Sequence, residues 1–349
     1  LGNGVVLIVG GRDGPRRIGS AEIYIPRLAY HAWTSAIPRV HGPFASAATN
    51  SRDSLLISYA DGAEHVSQLI EWSPPAWADF TGRTEPSVGV VRVGPKPGGE
   101  PRHYLRFARA LGADLPALNS LRIDEQDNIW GVSSAHEIIK ISSDGQVLLR
   151  FGKPPSTEIS DAPAASRAQL RRQHVLSPTD IAVDRRGNVF VTDAGERPRI
   201  VKFDRRGRFL AETGGRGSAP GRLDVPHSIA VDADGNVYVA DSGNARIQVF
   251  DNGLNHHAVY DTIGTPWAIC VTKGSRQFLY STSNADTVAR SRRAAEIYKL
   301  EHNGTVLGKT IANEPGKVSF TPDHMDCPDA NIAVTVGYPD HLQRITFGR

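Results

Sequence analysis

The stretch 224-DVPHSIAVDADGNVYVADSGNARIQVF-250 decides the fold. It holds three short apolar alternations, SIAVD, NVYVAD and RIQVF, separated by Asp-Gly-Asn and Ser-Gly-Asn. A period of two marks strands, and the Asp, Gly and Asn between them supply residues that tolerate positive φ in tight hairpins. The segment therefore predicts an antiparallel meander. The same frame recurs upstream as 177-SPTDIAVDRRGNVFVTDAGERPRIVKF-203, and there Thr179 stands where the later copy carries His227.

Working outward, a third clear copy lies at 118–141, LNSLRIDEQDNIWGVSSAHEIIKI. Weaker copies lie at 266–310 and 323–347, where the spacing survives but the Asp-Gly-Asn turn does not, and 43–72 fits with one inserted residue. A fourth strand follows several units, as in VLLRFGK at 147–153 and FLAETGG at 209–215. The best defined units are thus 118–151, 178–215 and 226–251. Four-stranded meanders repeating in this way cannot bury both faces alone and pack radially as blades. The expectation is all-β: a six-bladed propeller of four-stranded antiparallel blades spanning 1–349, with seven blades as the alternative. Residues 1–33, with the double glycine of GVVLIVGG, look like a kelch-type strand pair and are expected to supply outer strands that close the ring. Segments 83–103, 152–176 and 284–295 read as long loops.

Composition agrees. Hydrophobic residues make up 40% and charged residues 22% of the 349, enough for a large core and against disorder. The longest apolar run is too short to span a bilayer. A formal charge of +3, with the arginines scattered through turns, makes a nucleic-acid face an unlikely use of the surface. Two cysteines, Cys270 and Cys327, exclude a disulfide-rich scaffold and a cysteine zinc knuckle. They occupy similar positions in neighbouring units and could pair if the protein is exported, provided the strands approach closely enough. The chain opens with Leu1 and its one methionine is Met325, which suggests a fragment or a mature product, secreted or periplasmic.

The first strand of each blade lines the central channel, so one repeat position converges near the axis from every blade. That position holds Asn119, Thr179, His227, Trp267 and His324, with His41 or Phe44 in the first unit. Asn119, His227 and His324 fall in alternate blades, close to the three-fold arrangement of a compact metal site. A single channel histidine is ordinarily satisfied by a backbone carbonyl. Two at one repeat position suit a divalent metal, zinc with calcium as the alternative. Trp267, Thr179 and His136 then line the channel mouth. Asp124, Asp184, Asp232 and Asp234 sit in the hairpin turns and read as local side-chain to backbone bonding. Asp241 and Arg246 read as an ion pair within the repeat. His256 and His257, consecutive in an extended segment, make a poor chelate.

These residues resemble the NHL-repeat propellers, specifically over 118–251 and more weakly beyond. Pro226-His227 and the segment PDHMD around His324 are also similar to the channel motifs of the peptidyl-α-hydroxyglycine α-amidating lyases. The resemblance implies three histidines on a catalytic zinc and a tyrosine base in the loop after the second strand. Here Asn119 replaces the third histidine, and Gly195 stands at the tyrosine's place in VTDAGERPR. Two uses follow: a platform at the channel mouth and rim loops for a small molecule, peptide or protein, or a metal-dependent lyase or hydrolase. RNA binding, known for some NHL domains, is a third.

Overall fold

The computed structural model describes residues 6–13, 16–24, 32–36, 44–49, 51, 55–60, 67–72, 108–110, 118–133, 135–152, 174–284, 296–311, 321–330, 332–338 and 341–346. It is an all-β propeller of four-stranded antiparallel blades, and side chains are described through four consecutive blades between 118 and 311. The first comprises β8 (Leu118–Ile123), β9 (Ile129–Ser133), β10 (Ile138–Ile141) and β11 (Val147–Phe151). The second runs from β12 (Pro178–Val183) through β13 (Val189–Asp193) and β14 (Arg199–Phe203) to β15 (Phe209–Gly214). Then come β16 (Pro226–Val231), β17 (Val237–Asp241), β18 (Arg246–Phe250) and β19 (His256–Tyr260). The next is β20 (Thr265–Val271), β21 (Leu279–Asn284), β22 (Glu296–Leu300) and β23 (Val306–Ile311).

Two further four-stranded sheets flank these. One is β4 (Phe44–Thr49), β5 (Leu55–Ala60), β6 (Ser67–Trp72) and β7 (Ala108–Ala110). The other joins β24 (Thr321–Asp329), β25 (Ile332–Tyr338) and β26 (His341–Thr346) to β3 (Ala32–Ala36). Thus an early strand completes the last sheet, with Leu342 opposite Ser35. Among the described residues before 37, 32–36 plays that part, while β1 (Val6–Asp13) and β2 (Arg16–Tyr24) pair with each other in a separate hairpin. First strands of successive sheets touch in the order β4, β8, β12, β16, β20, β24, and β24 touches β4 again. The expected loops at 83–103 and most of 152–176 and 284–295 lie outside the described residues, as does His41.

The near-continuous burial of the inner strands has a simple cause. In β17 every residue is buried, because its two faces feed two different cores. Val237, Val239 and Phe250 pack with Phe190 and Ile200 of the preceding blade. Tyr238, Ala240, Ile247 and Val249 pack with Ile269, Leu279 and Leu300 of the following one. Each core is therefore an interface between blades, and burying a side chain of this size contributes about 1.5–3 kcal/mol.

The turns bear out the repeat reading. Asp232 Oδ1 accepts the backbone N–H groups of Asp234 at 3.0 Å and Asn236 at 2.8 Å. Its Oδ2 accepts Asn236 Nδ2 at 2.8 Å and Tyr238 Oη at 3.0 Å, while Gly235 takes φ 89°. Asp184 and Asp124 accept the same bonds from Asn188 and Asn128. At the other end of the blade, Asp241 accepts Asp224 N at 2.7 Å and Arg246 Nε at 2.8 Å, pinning the incoming loop to the second strand. Asp193 does the same with Ser177 N and Arg199 Nε.

Candidate functional site at the channel mouth

The repeat position falls on the second residue of β8, β12 and β16 and on the third of β20. A bulge follows the leading proline of β12 and β16: Pro178 lies opposite Asp193 and Asp180 opposite Thr192, as Pro226 lies opposite Asp241 and Ser228 opposite Ala240. Thr179 and His227 thus share a level, and Asn119 and Trp267 share it in their own strands.

Strand β24 differs from the expected frame by one residue. Pro322 lies opposite Gly337 and His324 opposite Val336, so Pro322 corresponds to Pro226, Asp323 to His227, and His324 to Ser228. His324 is therefore one level deeper than the sequence pattern places it. It is only 8% exposed, whereas His227 is half-buried. The two imidazoles are still neighbours, their ring centres 6.3 Å apart and their planes tilted by 38°.

Trp267 is not an open wall of the mouth. Its indole stacks on His227 with centres 3.9 Å apart, and its carbonyl oxygen lies 3.2 Å from His227 Nδ1. Its Nε1–H donates to Asp323 Oδ1 at 3.2 Å. The Thr179 hydroxyl is occupied in joining blades, donating to Pro226 O at 2.9 Å and meeting Thr192 Oγ1 at 2.9 Å. Asn119 is exposed, and His136 is exposed on the β9–β10 turn at φ 60°.

At the level of His324 and Ser228 lies Asp180, fully buried. It accepts Arg122 Nη2 at 2.6 Å, Ser228 Oγ at 2.6 Å, Ile229 N at 3.0 Å and the Ser120 hydroxyl. Burial pushes its carboxyl up, but the Arg122 guanidinium, His324 and the two serine hydroxyls outweigh that and hold it below the usual carboxylate range. Burial pushes His227 down to about 4 and His324 down to about 3, against the pull of the Asp180 charge. Both imidazoles are neutral near pH 7, the state in which a nitrogen lone pair is free.

Nδ1 of His324 is buried and has no hydrogen-bond partner among the described residues. An orphaned polar atom of this kind costs about 1–3 kcal/mol unless something absent from the protein chain satisfies it. Two neutral imidazoles with one orphaned nitrogen fit the donor chemistry of a borderline divalent ion. The three-histidine set of the lyases is not reproduced: among the described residues no group of three His, Cys, Asp or Glu side chains converges for a metal. Asp180 and Asp323 are the site residues that sequence reasoning missed. The signal for Asp180 was present, since PTDIAV carries Asp where LNSLRI and PHSIAV carry Ser.

The NHL repeat family matches residues 223–250, the stretch that carries His227. That stretch carries an NHL repeat within a β-propeller fold. The chain is 34% identical over 131 residues to peptidyl-glycine alpha-amidating monooxygenase B of Xenopus laevis, covering 35% of this chain and 14% of that protein. It is 31% identical over 142 residues to a probable peptidyl-alpha-hydroxyglycine alpha-amidating lyase of Caenorhabditis elegans, covering 39% of this chain and 37% of that one. The match thus spans well under half of either relative. Among solved structures, a gluconolactonase from Xanthomonas campestris superposes with a TM-score of 0.56 at 16% identity, covering 91% of this chain and 90% of that one. A virginiamycin B lyase from Staphylococcus aureus does so with 0.53 at 14% identity, covering 91% and 99%. At these identities the superpositions show the propeller fold.

Proposed function

We propose that the six sheets close into a six-bladed ring and that the channel mouth at His227 and His324 is a binding site for a small molecule or peptide end, engaged through a divalent metal. The orphaned, buried Nδ1 of His324, on a ring whose centre lies 6.3 Å from that of a second neutral imidazole, carries this reading. Zinc suits two imidazoles best, with calcium as the alternative. His227 and His324 would hold the ion, and exposed Asn119 is the weak third partner at the rim. Buried Asp180 supplies a fixed negative charge at the level of His324, which favours a cation beside it.

A metal-dependent lyase or hydrolase is the second reading, favoured by the similarity to the amidating lyases. A divalent ion there would lower the pKa of a bound hydroxyl or water. The chain's own contribution would be to orient that oxygen at two imidazoles and to exclude water from the deeper one. Against amidating chemistry stand Asn119 in place of a histidine and Gly195 in place of the base. RNA binding has little support from a net charge of +3. The Cys270–Cys327 disulfide supports export to the periplasm or beyond, since such bonds persist in oxidising compartments. No described helix is long and apolar enough to cross a membrane.

Calorimetric titration with zinc tests the proposal. Saturable binding near one ion per chain that is lost in His227→Ala and in His324→Ala, and kept in Thr179→Ala, supports it. Equal binding in all four proteins contradicts it.

A further inference from the structure

Three residues from three consecutive first strands form one connected unit at the mouth: His227 on β16, Trp267 on β20 and Asp323 on β24. Two independent contacts tie Trp267 to His227. Its ring covers the imidazole face at 3.9 Å and 28°, and its backbone oxygen lies 3.2 Å from Nδ1. A carbonyl oxygen can only accept, so a hydrogen bond here requires the proton on Nδ1, and a neutral imidazole with Nδ1–H leaves Nε2 as the bare nitrogen. The indole is itself held. Its N–H must find an acceptor in a half-buried setting, and the Asp323 carboxylate provides one at 3.2 Å.

We propose that Asp323 and Trp267 are positioning residues for His227: Asp323 fixes the indole, and Trp267 fixes both the plane and the tautomer of the imidazole, presenting Nε2 to whatever occupies the mouth. Outer partners that hold a histidine in one tautomer and orientation sharpen it as a ligand, and their loss weakens metal binding roughly 10- to 100-fold. The arrangement explains why a large aromatic sits in the ring position next to His227. It also gives a role to Asp323, which stands at the same level as His227 two strands away. The consequence for affinity rests on the metal reading above, whereas the tautomer does not.

The test reads the histidine directly. Long-range proton–nitrogen correlation spectra of the full chain, metal-free and near neutral pH, with His227 assigned by comparison with His227→Gln, are expected to show protonated Nδ1 and bare Nε2. Trp267→Phe keeps the stacking face and the backbone carbonyl but removes the indole N–H; Asp323→Leu removes its acceptor. With the ring at 267 no longer anchored to residue 323, the strand segment that holds its carbonyl against Nδ1 is released, so each should mix the His227 tautomers and weaken zinc binding at least several-fold. Asp323→Asn, which keeps an acceptor oxygen, should restore both. Circular dichroism identifies any variant that has lost the fold, and the other then decides. A wild-type His227 protonated on Nε2, or tautomer populations unchanged in folded Trp267→Phe or Asp323→Leu, would overturn the proposal. If the tautomers behave as expected while zinc binds to none of these proteins, the positioning role stands and the metal reading alone falls.

Discussion

Arg246 Nε and Asp241 Oδ2 lie 2.8 Å apart with the aspartate side chain fully buried and the arginine side chain 10% exposed. The guanidinium also donates to the carbonyls of Ser218, Ala219 and Arg222, so the pair fastens the long connection from the preceding blade onto the second strand. Removing only the carboxylate would leave a buried cation unpaired. Asp241→Ala is expected to cost about 3–5 kcal/mol in urea unfolding, and Ser242→Ala far less.

Acid should destabilise the metal-free protein before ordinary carboxylates titrate. His227 and His324 are depressed in the folded state to about 4 and about 3, while unfolded histidine titrates near 6.5. Between those values the unfolded chain binds more protons, so stability falls as pH drops from about 6.5 downward. The Asp180 carboxyl is also held low, and its contribution is lost below the unfolded aspartate range. Urea midpoints measured from pH 8 to 4 should decline through this window, and His227→Gln with His324→Gln should flatten the decline above pH 4. An unchanged slope in the double variant would exclude the histidines as its source.

Cys270 and Cys327 join β20 to β24, their Cα atoms 5.8 Å apart and 57 residues apart in sequence. Such a link contributes about 2–4 kcal/mol. The native protein should show no free thiol, and reduction should lower its unfolding midpoint with little change in secondary structure. Two titratable thiols in the unreduced, denatured protein would contradict the bond.

The repeat was legible in the sequence because its information is local. Each leading Asp of the Asp-x-x-Gly/Asp-Asn turn bonds its own hairpin, so three good copies fix strand order, spacing and the inner-strand position of His227. Where that turn is lost, as in β24, nothing local fixes register. A frame anchored on His324 instead of Pro322 slipped by one residue and hid Asp323. The pairing of Asp180 with Arg122, Ser120 and Ser228 and the meeting of the two cysteines depend on distances between strands from different repeats, which period alone does not specify.

The level occupied by Asn119 offers a gain-of-function test. Asn119→His places a nitrogen donor at the height of His227, completing a three-imidazole set open to a further ligand. Zinc affinity in titration should rise by at least tenfold over wild type. A variant that folds normally and binds no more tightly would show that β8 does not address the same centre.

On the proposed function, His227 and His324 share a divalent ion. Elemental analysis of protein purified mildly at neutral pH, without chelator, addresses it most directly. Close to one divalent ion per chain is expected, absent from His227→Ala and from His324→Ala and released as pH falls through the range where the imidazoles protonate. Wild-type protein that is metal-free and takes up neither zinc nor calcium on titration would contradict it.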